Sequence, residues 1–374
     1  MDRRDFIRLS GGGLLFGMLP GCAATPDPRS AWSHPGEGET DPRKRALSWA
    51  ILAPNPHNMQ PWLADLSEAD AITLYVDRTR LLPVTDPFNR QITIGCGAFL
   101  ELLRMAAARE GLAATIEGFP QGEPHPLLDE RPVARVTFAK GAAPDPLFAH
   151  VLSRRTNRSP FEDRPVTPAA ARAIVNAASV PSVSADATVD AARIDKLRHL
   201  VFQGAYVEAH TPAAHQESVS RTFIGAHDVA AHRYGISIEG GVIEAAHAAG
   251  LLTQAKMKQP GTFAYDQALA FLKKAADTSR GFVWITTAGD SRAEQLAAGA
   301  AYLRANLAAT GLGLSMHPWS QVLQEYATMN ALRAAVHHEL APEGGRVQTL
   351  ARIGYAKPVP PAPRRGLDQN LKVT

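Results

Sequence analysis

The chain has few residues that could cross-link it, bind a metal through thiolates or carry it across a bilayer. Only two of its 374 residues are cysteines, Cys22 and Cys96. Cys22 lies in a segment that we expect to be processed, so the mature chain has no cysteine pair and no thiolate metal cluster. No run of about 18 apolar residues occurs, which argues against a permanent transmembrane helix. We therefore expect a protein without a metal centre.

The chain also has little excess of charge of either sign. There are 39 Lys and Arg against 36 Asp and Glu, a net charge of +3. This small excess does not favour a nucleic-acid partner. Apolar residues make up 45% of the chain and charged residues 20%, which is typical of a globular protein and excludes wholesale disorder.

Several common enzyme motifs are missing from the sequence. It contains no G-x-G-x-x-G after a strand, no G-x-x-x-x-G-K-[ST], no G-x-S-x-G and no H-E-x-x-H. These absences argue against Rossmann, P-loop, α/β-hydrolase and zincin proteins. The histidines of residues 210–247 do not have the spacing of helix-borne zinc ligands, so zinc is not expected there either.

Residues 1–24 predict an export signal rather than part of the fold. Arg3 and Arg4 precede an apolar stretch, Leu9 to Pro20, and small residues, Gly21 to Ala24. The paired arginines resemble a twin-arginine signal, which the Tat translocase reads and which carries folded cargo. An amphipathic first helix is disfavoured because three consecutive glycines would cost about 1 kcal/mol each. A route for folded cargo suits a protein that acquires its cofactor before export.

The processing site leaves two alternatives open. Residues 19–22, Leu-Pro-Gly-Cys, resemble a lipobox in which Cys22 is acylated, although Pro20 is unusual there. Residues 22–24 could instead form an ordinary small-residue cleavage site. Residues 25–40 are rich in proline, glycine and charge, which predicts a tether. We expect the protein to be periplasmic or lipid-anchored on the periplasmic side.

The rest of the chain predicts a mixture of helices and strands. Strand patterns lie at 72–76, 133–138, 282–286 and 347–353, and helical periodicity lies at 96–110, 142–155, 191–209, 263–277 and 292–310. Residues 97–116 and 297–316 resemble each other at an offset of 200, from Ala98 and Ala298 to Leu112 and Leu312. The repeat is either a coincidence between alanine-rich helices or the sign of two fused, related halves.

Four segments carry residues suited to ligand binding: 53–62, 153–161, 311–321 and 352–366. In the first, the amides of Asn58 and Gln60 beside prolines and an indole suit the polar edge of a planar ring. Arginines of the second and fourth segments suit a phosphate monoester, because one guanidinium group can donate two parallel hydrogen bonds to phosphate oxygens. The third is a glycine-rich turn that can approach a ring closely. Taken singly, each also fits a structural role, such as arginines at a helix end or a helix stop at Gly311.

Together these segments resemble the FMN-dependent nitroreductases. Arg-Arg-Thr-Asn-Arg at 154–158 resembles the first flavin motif of that family, and residues 53–62 resemble A-P-[ST]-x-x-N-x-Q-P-W, with Asn55 in the Ser position. Leu312-Gly313 followed by Pro318 resembles the loop beside the reactive nitrogen of the flavin. The resemblance covers about residues 41–370. It implies FMN as cofactor and these binding residues: Pro54, Asn55, Asn58, Gln60, Arg154, Arg155, Thr156, Arg158, Gly313, Pro318, Ser320, Gln321, Arg364 and Arg365.

The motif at 53–62 precedes the motif at 154–158, which is the reverse of the usual order in that family. A fusion of two related halves would account for this order. Ordinary nitroreductases are homodimers whose flavin sites take residues from both subunits. This order resembles the single-chain, Acg-like branch, as does Asp86-Pro87-Phe88-Asn89-Arg90. It implies an α+β pseudo-dimer with halves at 41–140 and 141–374, one site per chain, a monomer, and a helical insertion or lid at about 205–265.

The resemblance implies two alternative functions. One is a two-electron oxidoreductase that uses NAD(P)H or another donor and a flat acceptor, such as a quinone or nitroaromatic, with no side chain required as a proton donor. The other is a protein that stores flavin in an occluded site and turns nothing over.

Overall fold

The computed structural model describes residues 27–372. The predicted export signal and Cys22 lie outside the described residues. The tether predicted at 25–40 falls partly within them. There, residues 27–40 pack against the body of the protein: the helical turn Ser30–Trp32 buries the Trp32 indole, which donates to the carbonyl of Ala362 at 2.8 Å. Burial of one aromatic side chain overrides the tether composition of this segment.

The first half is a helix, a hairpin, a long helix and a second strand pair. Its elements are α1 (Pro42–Ala50), β1 (Trp62–Asp65), β2 (Ala71–Val76), α2 (Arg90–Arg109), β3 (Leu112–Gly118) and β4 (Ala134–Lys140). Asp41 caps α1 by accepting from the backbone N–H of Arg43, and Pro42 occupies the first helical position, where no N–H is needed.

The second half repeats this plan around a large insertion. It contains α3 (Pro168–Ala177), β5 (Val183–Thr188), α4 (Ala191–Ala209), α5 (Pro212–Ser220), β6 (Thr222–Ile224), α6 (Ala226–His232), β7 (Ile236–Ile238), α7 (Gly241–Ala248), α8 (Gln254–Met257), α9 (Phe263–Asp277), β8 (Gly281–Thr287), α10 (Arg292–Gly311), β9 (Ser315–Pro318), α11 (Asn330–Leu340) and β10 (Arg346–Gly354). A capping box between Ser291 and Glu294 begins α10. The short parallel pair β6–β7 lies within the insertion, residues 205–265.

The two four-stranded antiparallel sheets share one topology. The first has the order β1-β2-β4-β3 and the second β5-β8-β10-β9. Numbered within each half, both read 1-2-4-3, and in both a 20-residue helix, α2 or α10, joins the second strand to the third. The whole insertion lies between the first and second strands of the second half, where the first half has a short turn. The expectation of two related α+β halves within one chain is confirmed.

The predicted helices and strands recur with small shifts, with one exception. The helix predicted at 142–155 is a 3₁₀ helix at Pro146–Ser153. Asp145 begins it by accepting from the N–H of Leu147, and Arg154 ends it in an extended conformation. Alanines and leucines therefore predicted the helical character of this segment but overestimated its length and regularity.

Helices α2 and α10 bring the halves into direct backbone contact. A Cβ atom on Gly97 would lie 2.0 Å from the carbonyl oxygen of Leu296, and one on Gly299 would lie 1.9 Å from that of Ile94. No side chain can occupy these positions. Helix α2 also has the length and mean hydropathy of a membrane span, but nearly all of it is buried, as in a core helix of a globular protein.

We predict that Gly97→Ala and Gly299→Ala each lower the free energy of unfolding by about 3 kcal/mol, the upper end of the usual cost of overpacking. The obstructing atoms are backbone carbonyl oxygens, which cannot rotate away. Urea unfolding followed by circular dichroism measures the effect. The matched control is Gly241→Ala in α7, where a Cβ meets nothing within 4 Å and the change stays within about 0.5 kcal/mol. Equal midpoints for all three variants would contradict the close contact.

Candidate functional site

The loop that follows the 3₁₀ helix is fixed by the second-half sheet. Thr156 forms a bridge with Met316, and the Asn157 amide donates to the carbonyl of Lys357 at 2.9 Å. The buried guanidinium of Arg352 donates to the carbonyls of Arg158 and Ser159 at 2.9 and 2.8 Å. Arg352 therefore holds the backbone of residues 157–159 in place, and its side chain is not free for a ligand.

Four arginines gather beside this loop, and we call them the arginine cluster: Arg154, Arg155, Arg158 and Arg364. Arg154 and Arg364 are 3% and 2% exposed. Tyr302 lies within electrostatic range of both Arg154 and Arg158, and burial raises its pKa to about 12. Burial lowers the pKa of Arg154 to about 10 and that of Arg364 well below its usual value. Arginine is effectively always protonated in proteins, so all four side chains carry a positive charge.

The cluster lacks a counter-ion within residues 27–372. No carboxylate lies within ion-pairing distance of its guanidinium groups, and the charged neighbours that shift the pKa of Arg364 are Arg154 and Arg155 themselves. Arg154 donates one hydrogen bond, to the carbonyl of Leu52 at 3.0 Å, while its Nε and Nη1 atoms are buried without a partner. Buried, unpaired cations and donors are costly. An anion with several acceptor oxygens, such as a phosphate monoester, fits this donor set.

The terminal arginine pair divides between two locations. Arg364 joins the cluster and donates to the Asn58 side-chain oxygen at 2.6 Å and to the carbonyl of Ile51 at 2.9 Å. Arg365 instead donates to the carbonyls of Gln60, at 3.3 Å, and Gln369. Arg364 also donates to the carbonyls of Pro363, Leu52 and Ala53, so its five guanidinium N–H groups all have partners within the protein. Arg364 therefore adds positive charge to the cluster but no spare hydrogen-bond donor.

The two amides of segment 53–62 are engaged within the protein. The Asn58 side chain donates to the carbonyls of Gly235 and Pro363 at 3.2 and 3.0 Å. Gln60 donates to the carbonyl of Arg233 at 3.0 Å and accepts from the backbone N–H of Arg365 at 2.8 Å. The structure thus gives both amides a role in holding the C-terminal segment and the insertion, and contact with a ring stays a prediction.

Strained backbone shapes the same segment. His57, Asn58 and Gln60 have φ values of 48°, 53° and 53°, which non-glycine residues adopt uncommonly. Asn55 supports this conformation, because its side-chain oxygen accepts from the N–H of Gln60 at 2.7 Å. Pro54 is buried beside it. Strain of this kind persists where surrounding contacts enforce it, and it is frequent at functional sites.

The third segment is spread along a strand instead of forming one loop. Gly313 follows α10 with φ of 72° and is exposed. Pro318 lies at the other end of β9, opposite Ala351 of β10. Ser320 and Gln321 begin the 3₁₀ helix Ser320–Leu323. The structure therefore separates Gly313 from Pro318, Ser320 and Gln321, because the intervening residues form β9 rather than a turn.

The insertion reaches segment 53–62 beside a buried carboxyl. His57 Nε2 lies 3.2 Å from the Ser218 hydroxyl, and Ser218 is also a neighbour of the Glu208 carboxyl. Gln324 donates to Glu208, at 2.6 Å. Burial raises the pKa of Glu208 to about 7, whereas burial together with nearby Arg158 and Arg221 lowers the pKa of His57 to about 4. Within the described residues, no three histidine, cysteine or acidic side chains gather as a metal site.

Sequence reasoning missed three residues of this region, Trp32, His57 and Tyr302, and expected a different role for a fourth, Arg352. Trp32 is an aromatic residue in a segment of tether-like composition, and this mismatch was the available signal. His57 lies inside the segment 53–62 itself. Tyr302 has an alanine-rich helix around it and gave no signal. Arg352 lies in the fourth segment, whose arginines are predicted to suit a phosphate, but in the structure it donates to backbone carbonyls.

Comparison with known proteins points in one direction. No protein-family model matches the chain. It is similar to three proteins of Mycobacterium tuberculosis. One, "Putative NAD(P)H nitroreductase acg", is 37% identical over 129 residues, 34% of this chain and 38% of that protein. "Uncharacterized protein Rv3127" is 29% identical over 88% of this chain and 92% of its own length. "Putative NAD(P)H nitroreductase Rv3131" is 27% identical over 87% and 90%.

Two of these relatives carry nitroreductase names. The similarity to Rv3131 extends over nearly the whole chain, whereas the match to acg spans less than two fifths of that relative's length.

Solved structures give weaker likenesses. An FMN-dependent nitroreductase, NfnB, from Mycobacterium smegmatis in complex with NADPH is 17% identical, with 59% of this chain and 95% of that chain covered and a TM-score of 0.36. An FMN and NADPH-dependent NfnB from sphigopyxis sp. strain HMH is 18% identical, with 61% and 98% covered and a TM-score of 0.38. Scores below 0.5 do not establish a shared fold, and the assignment of two related halves rests on the sheet topology.

We predict that Glu208 makes stability depend on pH. Its folded pKa of about 7 exceeds the ordinary 4.5, so the folded protein holds the proton more tightly than the unfolded chain. The resulting stabilisation is present below about pH 4.5 and is lost as pH rises through 7, by about 3 kcal/mol in all. Between pH 5 and pH 8, urea unfolding should show a larger loss of stability, or a smaller gain, in the wild type than in Glu208→Gln, because Asp86, His57 and His317 titrate alike in both proteins.

The control for this comparison is Glu130→Gln, at a carboxylate whose side chain is 84% exposed. That variant should follow the wild type at both pH values. An unchanged pH dependence in Glu208→Gln would show that Glu208 does not titrate in this range.

Proposed function

We propose that the chain is an FMN-binding oxidoreductase of the nitroreductase type, which moves two electrons from NAD(P)H or another donor to a flat acceptor such as a quinone or nitroaromatic. The observation that carries the proposal is the buried arginine cluster, whose guanidinium groups have no carboxylate partner within the described chain. The phosphate of FMN would supply the missing anion. Similarity over 87% of the chain to a relative named as an NAD(P)H nitroreductase supports it.

The residues of the chain would bind and orient the cofactor. FMN, when bound, supplies the two-electron chemistry. Arg154 would hold the phosphate through its unpartnered Nε and Nη1 atoms, and Arg155, of which only Nη1 donates within the protein, would assist it. Arg364 would add positive charge beside them. Arg158 lies nearer His57 and His317, whose pKa values it lowers, so it would face the ring end of the site. The insertion would exclude water from that end.

The site would draw on both halves of one chain. Arg154 and Arg158 belong to the second half, taken as residues 141–374, and the Leu52 carbonyl and Asn58 belong to the first, 41–140. Arg154 donates to Leu52 directly, and Arg364 donates to Asn58. Such a site needs no second subunit, which supports a monomer with one FMN. We also propose export to the periplasmic side, on the basis of the signal-like residues 1–24.

A second candidate is a flavin-storage protein with an occluded site. The observation that favours it is the direct contact of the insertion with segment 53–62, in which Gly235 donates its N–H to the carbonyl of Asn58 at 3.1 Å and Ser218 meets His57. An insertion that stays in this position would prevent an acceptor from stacking on a ring.

We expect the purified protein to be yellow and to contain about one FMN per chain. The double variant Arg154→Ala, Arg155→Ala should weaken FMN binding by at least about a hundredfold, since each charged hydrogen bond to phosphate is worth about 1.5–3 kcal/mol. Absorption spectra and quenching of flavin fluorescence measure both quantities.

Arg135→Ala is the matched control, because Arg135 is an exposed arginine paired with Glu68, outside the site. It should bind FMN as the wild type does. Full FMN affinity in the double variant would place the phosphate elsewhere.

Rapid mixing distinguishes the enzyme from the storage protein. We expect the flavin absorbance to bleach with NADH or NADPH and to return when menadione is added, because a two-electron acceptor can then reach the reduced cofactor. Dithionite serves as a reference reductant that needs no nicotinamide site. Bleaching by dithionite alone, followed by slow reoxidation with every acceptor, would favour storage.

A further inference from the structure

A short segment near the start of the described chain covers the arginine cluster. We call residues 27–34 the N-terminal strap. The Trp32 ring lies 5.0 Å from the guanidinium carbon of Arg155, 5.2 Å from that of Arg364 and 5.8 Å from that of Arg154. The indole is 8% exposed. One aromatic ring thus faces three of the four arginines in the cluster.

The strap also joins two separate parts of the chain. Arg29 forms an ion pair with Glu239 of the insertion, and Arg233 of the insertion donates to the Ser30 hydroxyl at 3.1 Å. On the C-terminal side, the Arg29 side chain donates to the carbonyl of Pro361 at 2.8 Å. The backbone N–H of Arg364 donates to the carbonyl of Pro28, also at 2.8 Å. The strap is therefore attached on both sides of the cluster.

The contact between Trp32 and the arginines addresses a specific electrostatic problem. Three guanidinium groups that lie together without a counter-ion repel one another, and in water they would move apart. The face of an indole carries negative charge density and attracts cations. Trp32 can hold the three arginines close together while N–H groups of Arg154 and Arg155 stay available, which is the arrangement that a dianion needs.

We propose that Trp32 is a positioning residue for phosphate recognition: its indole pre-organises Arg154, Arg155 and Arg364 for the phosphate group of the cofactor, and the strap closes that end of the site. This inference rests on the proposed function, and it adds a residue from outside the two flavin-motif segments. It predicts a difference between flavins with and without a phosphate group. Trp32 should matter for a flavin that carries a phosphate and not for one that lacks it.

The test compares FMN with riboflavin, which has the same ring and ribityl chain without the phosphate. Dissociation constants are measured by flavin fluorescence quenching for the full chain and for Trp32→Leu and Trp32→Phe. Leucine keeps an apolar side chain but removes the aromatic face, so Trp32→Leu should weaken FMN binding about tenfold and riboflavin binding less than about twofold. Trp32→Phe keeps a face and should recover FMN affinity to within about threefold of the wild type.

Trp49→Leu is the matched control. The Trp49 ring also faces an arginine, Arg109, at 5.2 Å, but on α1, away from the cluster. This variant should bind both flavins like the wild type. Thermal unfolding of each variant checks that it is folded, and Trp32→Met, which also lacks an aromatic face, replaces Trp32→Leu if that variant does not fold.

Three outcomes would overturn the inference. Equal losses for FMN and riboflavin would give Trp32 a general packing role, tighter FMN binding in Trp32→Leu would show that the indole obstructs the site, and unchanged affinities would remove it from the site. A wild-type chain that binds no FMN would overturn the proposed function instead. In that case inorganic phosphate is the probe: its thermal stabilisation of the wild type should be lost in Trp32→Leu, and a wild type that does not respond overturns the inference as well.

Discussion

The architecture depends on one helix, α2, that makes two close contacts on opposite sides. A Cβ on Gly97 would meet the Leu296 carbonyl of α10, and a Cβ on Gly95 would lie 3.1 Å from the side chains of Asn55 and Pro56. Residues two positions apart point to nearly opposite sides of a helix. The same helix therefore fixes the second half on one side and the strained segment 53–62 on the other. The distance between that segment and the loop at 154–159 follows from these two contacts.

The arginine cluster lowers the stability of the fold that these contacts hold together. A fold that buries several cations without anions is less stable than it would be with apolar side chains there, because each charge loses hydration. Contacts elsewhere offset that cost, including the Leu52 and Ile51 carbonyls that accept from Arg154 and Arg364. An anion bound to the cluster stabilises the folded chain by mass action. Ligand affinity and fold stability are thus linked through the same guanidinium groups.

Sequence patterns predicted the elements well because the helices and strands are regular and mostly buried. The repeat at residues 97–116 and 297–316 indicated two halves, and the sheet orders agree with it. The partners of polar side chains were less predictable. Asn58 and Gln60 were expected at a ring edge, yet they bond to residues 233–235 and 363–365, which lie far away in sequence. Trp32 was overlooked for the same reason, since its arginine partners come together only in the fold.

The two candidate functions differ in whether the insertion can move away from segment 53–62. Its apolar residues Val219, Ile224 and Met257 form a cluster of their own, separate from the cores of the two halves. Its contacts with the segment are hydrogen bonds, such as those of Gly235 with Asn58 and of Ser218 with His57. Such bonds contribute about 0.5–1.5 kcal/mol each, because water replaces them on opening. Opening would break these bonds, those that Glu217 accepts from Val84 and Thr85, and the ion pair of Arg29 with Glu239, and it would leave the insertion's own core intact. The proposed oxidoreductase requires an insertion that opens in this way as a unit, whereas the storage protein requires one that stays closed.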